Sequence, residues 1–276
     1  MGDYLRPARL DEALEALARP FTVLAGGTDF YPSRVGRAID EDILDISNIG
    51  ALRGISRSGA GWRLGATTTW SDLLAAELPP LFDGVKQAAR EVGGRQIQNA
   101  GTLAGNLCNA SPAADGVPPL LALDAEVELA SRQGTRRLAL SQFIQGNRRT
   151  ERRPDELLVA IHVPEMRQEA RSRFLKLGAR RYLVISIVMA AATVEVVDGC
   201  VGTARIAVGA CSTAARRLPL LEAALVGTPL DSGLTDRLDP AHLAPLAPID
   251  DVRASADYRR EAAFAVLRRL LAEVAA

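Results

Sequence analysis

A short apolar strand that runs directly into two adjacent glycines is the feature that most restricts how this chain can fold. Residues 21–24 (Phe-Thr-Val-Leu) predict a buried strand, and Ala-Gly-Gly-Thr-Asp follows at residues 25–29. Two glycines allow backbone conformations in which consecutive N–H groups point into one concavity, an arrangement that binds anions. A tight turn without a ligand is the alternative interpretation, because glycine marks many simple turns.

The strand belongs to a predicted small α/β unit at residues 1–55. Apolar residues at helical spacing predict a helix over residues 10–18, and residues 43–46 predict a further strand. The order of these elements is typical of a small parallel α/β unit.

The rest of the chain predicts two further units. Residues 56–170 show short strands and short helices, which indicates an α+β lobe that ends in a charged connector at 165–172. Residues 171–276 predict three antiparallel strands followed by helices, with a hairpin turn at Asp198 and Gly199.

A second glycine-containing segment lies at residues 101–106 (Gly-Thr-Leu-Ala-Gly-Asn). It is interpreted as a loop, and two such loops could hold the two sides of one pyrophosphate. Neither segment matches G-x-G-x-x-G or G-x-x-x-x-G-K-[ST], which argues against a Rossmann site and a P-loop.

The composition excludes several classes of protein. The 276 residues include 33 Lys+Arg and 33 Asp+Glu, and this balance argues against a dedicated nucleic-acid binder. Two His and three Cys, with no C-x-x-C pair, do not predict a zinc or iron–sulfur site within the chain. We expect a cytoplasmic protein with reduced thiols, because the first 20 residues lack the apolar core of a signal peptide and no apolar run is long enough to span a membrane.

Taken together, the motifs resemble the FAD-binding medium subunit of the xanthine dehydrogenase and carbon monoxide dehydrogenase family, the molybdenum hydroxylases. The matching segments are Ala-Gly-Gly-Thr-Asp at 25–29, Thr-Leu-Ala-Gly-Asn at 102–106, Ser-Pro-Ala-Ala-Asp at 111–115, Pro-Leu-Leu-Ala-Leu-Asp-Ala at 119–125, the loop at 143–158, Lys-Leu-Gly-Ala-Arg at 176–180 and Ala-Arg-Ile-Ala-Val-Gly at 204–209. Their order and spacing match the family over nearly the whole chain.

The resemblance implies an α+β fold in two parts. A p-cresol-methylhydroxylase-type FAD-binding domain would occupy residues 1–170, with α/β lobes at about 1–55 and 56–170. A C-terminal flavoprotein domain at 171–276 would contain a three-stranded antiparallel sheet plus helices.

The resemblance also implies a set of FAD contacts. Residues 23–30 would lie on one side of the phosphates and residues 102–106 on the other. Asp115 would reach the flavin or ribityl region, Leu158 would touch the ring, and Lys176 would stabilise negative charge on the reduced flavin. The full set of candidate FAD-binding residues is Val23, Leu24, Ala25, Gly26, Gly27, Thr28, Asp29, Phe30, Thr102, Leu103, Ala104, Gly105, Asn106, Asp115, Leu158, Lys176 and Tyr182.

Several positions depart from the family pattern. Ala104 replaces the first glycine of the usual pair, so a reshaped second loop is expected. Gln98 and Ala100 stand where relatives often carry Arg, which removes positive charge near the phosphates. Tyr182 could stack near the flavin or control access to it, and an ordinary half-buried tyrosine is the alternative.

Non-covalent FAD is expected, because neither His162 nor His242 lies beside the N-terminal glycine loop, where a covalent histidyl link would be made. A basic run at residues 148–153, which contains Arg148, Arg149, Arg152 and Arg153, is either a solvated loop or a docking surface for an acidic iron–sulfur partner or a dinucleotide oxidant.

The resemblance implies an oxidoreductase subunit that passes electrons from [2Fe–2S] clusters of a partner to NAD, oxygen or a quinone. An iron–sulfur small subunit and a molybdopterin large subunit would be its partners and would carry those cofactors. A stand-alone FAD-dependent oxidase or reductase is one alternative, and an assembly module that has lost its flavin is another. The substrate would be chosen by another chain.

Overall fold

A computed structural model describes residues 2–59, 61–166 and 169–276. The first lobe is a three-stranded parallel sheet with one helix. Its elements are Tyr4–Leu5 (β1), Leu10–Ala16 (α1), Thr22–Leu24 (β2) and Ile43–Asp45 (β3). The order is β1-β3-β2, with both pairs parallel, which confirms the predicted parallel α/β unit.

The second lobe contains a five-stranded antiparallel sheet and a small hairpin. The strands are Ile55–Ser58 (β4), Gly61–Gly65 (β5), Glu126–Ser131 (β6), Gly134–Ala139 (β7), Ile144–Gly146 (β8), Arg149–Thr150 (β9) and Leu157–Pro164 (β10). The sheet has the order β4-β5-β10-β6-β7, and β8 pairs with β9. The central strand β10 is buried along nearly its whole length, which explains its continuous apolar sequence.

Short helices cover one face of this sheet. They are Trp70–Ala75 (α2), Asp83–Glu91 (α3), Arg95–Ala100 (α4), Leu103–Asn109 (α5), Val117–Ala122 (α6) and Leu140–Phe143 (α7). Helix α2 begins with a capping box, in which Thr69 and Asp72 bond each other's backbone N–H groups. Trp70, Phe82 and Leu120 pack into the core between the helices and the sheet.

The first lobe docks on the second through apolar side chains. Leu44 and Ile49 of the first lobe share a buried cluster with Leu157 and Val159 of β10. This packing places the end of β2 beside the sheet of the second lobe, where the candidate site lies.

The C-terminal part contains a four-stranded antiparallel sheet, whereas three strands were predicted. The elements are Arg171–Leu177 (β11), Val188–Val197 (β12), Cys200–Gly209 (β13), Arg216–Arg217 (β14), Pro219–Leu225 (α8) and Ala256–Ala275 (α9). The predicted count is wrong because β14 has two residues, both arginines, which carry no strand pattern. Residues 167 and 168 of the predicted connector lie outside the described residues.

The C-terminal sheet is covered by α9 and α8 on one face and by helices of the second lobe on the other. Leu267 and Leu270 of α9 pack with Val188 and Ile206 on the first face. On the second face, the Gly84 N–H at the start of α3 donates to Ser172 Oγ at 2.8 Å. The α+β class and the two-lobed domain followed by a sheet with helices are confirmed.

Candidate functional site

A cleft of about 790 Å³ lies between the two lobes. Residues 21–30, which comprise β2 and the loop after it, form one wall. The opposite wall is formed around α5 by Gly101, Thr102, Ala104, Gly105, Asn106, Cys108 and Asn109. Leu157 and Leu158 of β10 close the cleft at one side. This volume is within the usual range of about 300–1,000 Å³ for small-molecule and cofactor pockets.

The two glycines of the first wall are required by the local geometry. Gly27 has φ +69°, in the left-handed region that glycine adopts without strain. Gly26 packs directly against the backbone of Ala100 at the end of α4, and a side chain at Gly26 would overlap the Ala100 carbonyl. The glycine loop therefore passes closer to the second lobe than any other residue type permits.

The glycine loop presents free hydrogen-bond donors. Within the described ranges, no protein group accepts the backbone N–H of Gly26, Gly27, Thr28 or Asp29. These residues all line the cleft. Successive unpaired N–H groups at a glycine turn form an anion-binding concavity, so this wall fits a phosphate group.

The second wall differs from the predicted loop, because residues 103–109 form helix α5. Thr102 is its N-cap, and its Oγ1 accepts the Gly105 N–H at 3.0 Å. The N–H groups of Leu103 and Ala104 donate to the carbonyls of Thr68 and Ala66. The N–H groups of Leu103, Ala104 and Gly105 therefore donate to protein acceptors, and the segment predicted as a loop is a helix start.

The structure places two residues of this segment differently from each other. Leu103 is fully buried in the core of the second lobe and does not line the cleft. Ala104 lines the cleft, in a helical conformation that suits alanine. The helix start was predicted as a loop because glycine and threonine near a helix start resemble turn residues in a sequence.

Asn106 adds a polar side chain to the second wall. Its Oδ1 is buried and has no hydrogen-bond partner in the described part of the chain. Because buried polar atoms normally have partners, this oxygen is an exception of the kind found at binding sites.

Apolar residues outside the glycine loop also line the cleft, among them Leu158, Ile46 and Trp70. Leu158 was predicted from the family motif, whereas Ile46 and Trp70 were not. The sequence signal that could have identified Trp70 is its position immediately after the helix cap Thr69. That position places the indole in the first turn of α2, where it is buried.

Two arginines of the basic run also line the cleft. Arg148 and Arg152 lie on or beside the β8–β9 hairpin, and the Arg148 guanidinium donates to Asn109 Oδ1. The Arg148 N–H donates to the Ala110 carbonyl at 2.9 Å, which fixes the hairpin at the end of α5. The cleft thus carries the positive charge of Arg148 and Arg152, although Gln98 and Ala100 supply none.

Asp115 and Lys176 come together as a buried ion pair outside the cleft wall. Lys176 Nζ lies 2.6 Å from Asp115 Oδ2, and Ser186 Oγ donates to Asp115 Oδ1 at 2.7 Å. Burial raises the pKa of Asp115, and the neighbouring Lys176 and Ser186 oppose that shift. The pair joins the α5–α6 connection of the second lobe to β11 of the C-terminal sheet.

Tyr182 is 56% exposed and does not line the cleft. The next residue, Leu183, reaches towards Gly94 at the start of α4, where a Cβ would be 3.3 Å from Leu183 Cδ2. Ile97 of the same helix does line the cleft. The segment that carries Tyr182 therefore lies near the α4 side of the cleft.

Both histidines have local partners away from the glycine loop. His162 Nε2 lies 2.5 Å from Glu128 Oε2 on the second-lobe sheet, and His242 Nδ1 accepts the Asp239 N–H at 3.1 Å. Among the described residues, no three His, Cys, Asp or Glu side chains are arranged to hold a metal ion. None of the helices within those residues is long and apolar enough to cross a membrane.

Two family models match the chain. Residues 1–166 match the FAD binding domain in molybdopterin dehydrogenase, and residues 173–274 match the CO dehydrogenase flavoprotein C-terminal domain.

Relatives of known name match over nearly their full lengths. A putative xanthine dehydrogenase FAD-binding subunit of Escherichia coli strain K12 is 30% identical, over 100% of this chain and 96% of the relative. The carbon monoxide dehydrogenase medium chain of Afipia carboxidovorans is 34% identical, over 97% of this chain and 94% of the relative.

Solved structures share the fold. Reconstituted CO dehydrogenase from Oligotropha carboxidovorans has a chain that superposes with a TM-score of 0.91 at 28% identity, covering 100% of this chain and 98% of that one. A chain of quinoline 2-oxidoreductase from Pseudomonas putida 86 gives 0.89 at 27% identity, covering 100% and 97%.

Proposed function

The chain belongs to the family of FAD-binding medium subunits of the molybdenum hydroxylases, which are oxidoreductase subunits, and on that premise we propose that it transfers electrons within a multi-subunit complex. Its electron donors would be [2Fe–2S] clusters on an iron–sulfur small subunit, and a molybdopterin large subunit would oxidise the substrate. The acceptor would be NAD, oxygen or a quinone.

The observation that carries this proposal is the row of unpaired N–H groups along the cleft. Gly26, Gly27, Thr28 and Asp29 offer donors that no group in the described ranges accepts. Such a row suits the pyrophosphate of FAD, and the adjacent volume of about 790 Å³ suits the remainder of a dinucleotide.

The cleft residues divide by chemistry. Residues 23–30 would bind the phosphates through backbone N–H groups, and Arg148 and Arg152 would add positive charge. Leu158 and Trp70 would exclude water from an apolar part of the cofactor. When bound, FAD supplies one-electron and two-electron redox chemistry, which lets a protein connect iron–sulfur clusters to a two-electron acceptor.

The remaining proposed contacts have different support. Thr102, Ala104, Gly105 and Asn106 line the cleft, so the side chains of Thr102 and Asn106 could contact FAD directly. Asp115 and Lys176 are supported by the family motifs, whereas Tyr182 is proposed only as a residue that could stack near the flavin; all three lie outside the cleft wall. Non-covalent binding is supported by the positions of His162 and His242, which have partners elsewhere.

Electron transfer by a chain with only two histidines is chemically consistent, because moving electrons requires no general base in this subunit. Relatives bear names such as medium chain and FAD-binding subunit, which supports partner chains for this protein as well. We include a cytoplasmic location in the proposal, because Cys108, Cys200 and Cys211 are free thiols.

Purification and spectroscopy test the proposal. We expect the protein to be yellow, to release FAD on denaturation without a covalent remnant, and to co-purify with iron–sulfur and molybdopterin chains from its source. A folded protein that neither holds nor rebinds FAD would contradict it. Turnover of an organic substrate by this chain alone would instead favour a stand-alone oxidase or reductase.

A further inference from the structure

Residues 178–187 connect β11 to β12 and are called here the 178–187 loop. Three of its apolar side chains are exposed: Tyr182 by 56%, Leu183 by 57% and Ile185 by 63%. Exposed apolar side chains give a loop little packing energy, so a loop of this kind keeps one shape only if other bonds restrain it.

A buried arginine of α9 supplies one restraint. The Arg259 side chain is 1% exposed, and its Nη1 donates to the Ile187 carbonyl at 2.7 Å and to the Ala210 carbonyl at 3.1 Å. The Ile187 N–H in turn donates to the Leu177 carbonyl at 2.8 Å, which closes the base of the loop. Arg259 thus joins the loop base to the end of β13.

A second arginine holds the adjacent carbonyl. Arg253 Nη1 donates to the Ser186 carbonyl at 2.8 Å. Asp251 lies between the two guanidinium groups, with Oδ1 2.6 Å from Arg259 Nη2 and Oδ2 2.5 Å from Arg253 Nη2. We call Asp251, Arg253 and Arg259 the clamp.

Burying the Arg259 guanidinium is costly. Its Nε is buried without a partner in the described part of the chain. Hydrogen bonds from Arg253 hold the pKa of Asp251 well below its usual range, so the carboxylate stays charged as a counter-ion. Since buried ion pairs contribute little net stability over apolar packing, a positional role is the more direct explanation for this one.

The clamp acts on a residue that contacts the Asp115–Lys176 pair. Ser186 is fully buried, and its Oγ donates to Asp115 Oδ1 at 2.7 Å, while Lys176 Nζ donates to Asp115 Oδ2. Because Arg253 fixes the Ser186 carbonyl, the direction of the Ser186 hydroxyl is also constrained. The helix that carries Arg259 is thereby connected through hydrogen bonds to the carboxylate of Asp115.

We propose that Arg259 is a positioning residue for FAD binding, which acts with Asp251 and Arg253 to hold Ser186, the Asp115–Lys176 pair and the 178–187 loop in one arrangement. This inference rests on the proposed function only in that FAD is the ligand whose binding is measured. The state of the loop can be measured without FAD.

Limited trypsin digestion of the FAD-free full-length chain measures the loop, because Arg180 and Arg181 are exposed within it. We expect Arg259→Lys, which keeps the charge but loses the forked contacts, to be cut at these two residues at least tenfold faster than wild type. Asp251→Asn is expected to behave similarly, since it removes the counter-ion that holds both arginines of the clamp. Asp251→Glu is expected to restore most of the protection.

A matched control lies on the far edge of the same sheet. Arg217 pairs with Glu222 at 2.5 Å and with Asp124 at 2.6 Å, and touches neither the loop nor the clamp. We expect Arg217→Lys to leave the rate of cutting at residues 180 and 181 unchanged.

The binding measurement uses the same variants after FAD is added. We expect Arg259→Lys and Asp251→Asn to raise the Kd for FAD at least tenfold and to alter the visible circular dichroism of the bound flavin. Asp251→Glu should recover both values, whereas Arg217→Lys should change neither. A role limited to overall stability would not change the flavin spectrum of the protein that still binds.

The outcomes separate the two proposals. Folded clamp variants that resist trypsin as wild type does would overturn the inference, as would faster cutting with unaltered FAD binding. Failure of the wild-type protein to bind FAD would overturn the proposed function instead, and the trypsin result would still report on the loop.

Discussion

The carbonyl oxygen of Ala100 lies 1.9 Å from the position that a Cβ atom on Gly26 would occupy. The two residues belong to different lobes, and both ends of this contact are backbone, so neither can move aside cheaply. The close approach of the glycine loop to α4 therefore requires a residue without a side chain at position 26.

Gly26→Ala is expected to weaken FAD binding at least tenfold, because the added methyl group must displace the loop that carries the N–H donors. Overpacking of this kind also destabilises a fold by about 1–3 kcal/mol. Gly50→Ala is the matched control, since a Cβ at Gly50 meets nothing within 4 Å. Titration with FAD, followed by flavin fluorescence, measures both variants, and equal affinities would contradict the role given to the glycine loop.

Arg148→Gln is expected to raise the Kd for FAD about tenfold, because it removes one charge-assisted hydrogen bond to the cofactor. Such a bond contributes roughly 1.5 kcal/mol to binding. The wild-type affinity should fall as salt is added, and the variant should depend less on salt. Arg149→Gln is the control, because Arg149 is exposed on the same hairpin and lies outside the cleft wall. Isothermal titration at two salt concentrations makes the comparison, and matching losses in both variants would indicate a general charge effect.

Cys108 is expected to report occupancy of the cleft. Cys108 is exposed on the cleft wall, and desolvation by the surrounding protein raises the pKa of its thiol to about 11. Because the thiolate is the reactive form, labelling should accelerate about tenfold per pH unit between pH 7 and 10. Added FAD should slow the labelling of Cys108 and leave that of half-buried Cys200 unchanged, as peptide mass spectrometry would show.

Lys176→Met is expected to destabilise the protein by about 3–5 kcal/mol, because it leaves the Asp115 carboxylate buried without its cation. Lys176→Met combined with Asp115→Asn should recover a large part of that loss, since the uncompensated charge is gone. Urea unfolding of the single and double variants gives the comparison. A double variant no more stable than Lys176→Met would show that the pair is not coupled as its geometry indicates.

The glycine loop and the long strands could be predicted because their signals are local. A strand followed by Gly26 and Gly27 has few structural interpretations, and β12 is rich in valine and alanine, with only Thr193 and Glu195 as polar residues. The sequence of β10 carries a comparable local signal, a mostly apolar run from Leu157 that ends at Pro164.

Features that depend on tertiary contacts could not be predicted in this way. Helix α5 begins among residues typical of turns, and its start is fixed by carbonyls of Thr68 and Ala66, which are distant in sequence. The position of Arg148 in the turn of the β8–β9 hairpin depends on the hydrogen bond from its backbone N–H to the Ala110 carbonyl. The clamp joins residues 251–259 to residues 186 and 187, and no sequence motif announces such a pairing.

The two walls of the cleft come from different lobes, which adhere through Leu44 and Ile49 packed on Leu157 and Val159. A ligand that contacts both walls stabilises the arrangement in which the two lobes are packed together, and it is released when the lobes separate. Retention of the cofactor and adhesion of the lobes therefore measure the same equilibrium. Substitutions of Leu44, Ile49 or Val159, which lie in that seam but not on the cleft wall, should therefore change the off-rate of FAD. Loss of FAD on heating should report how strongly the two lobes adhere.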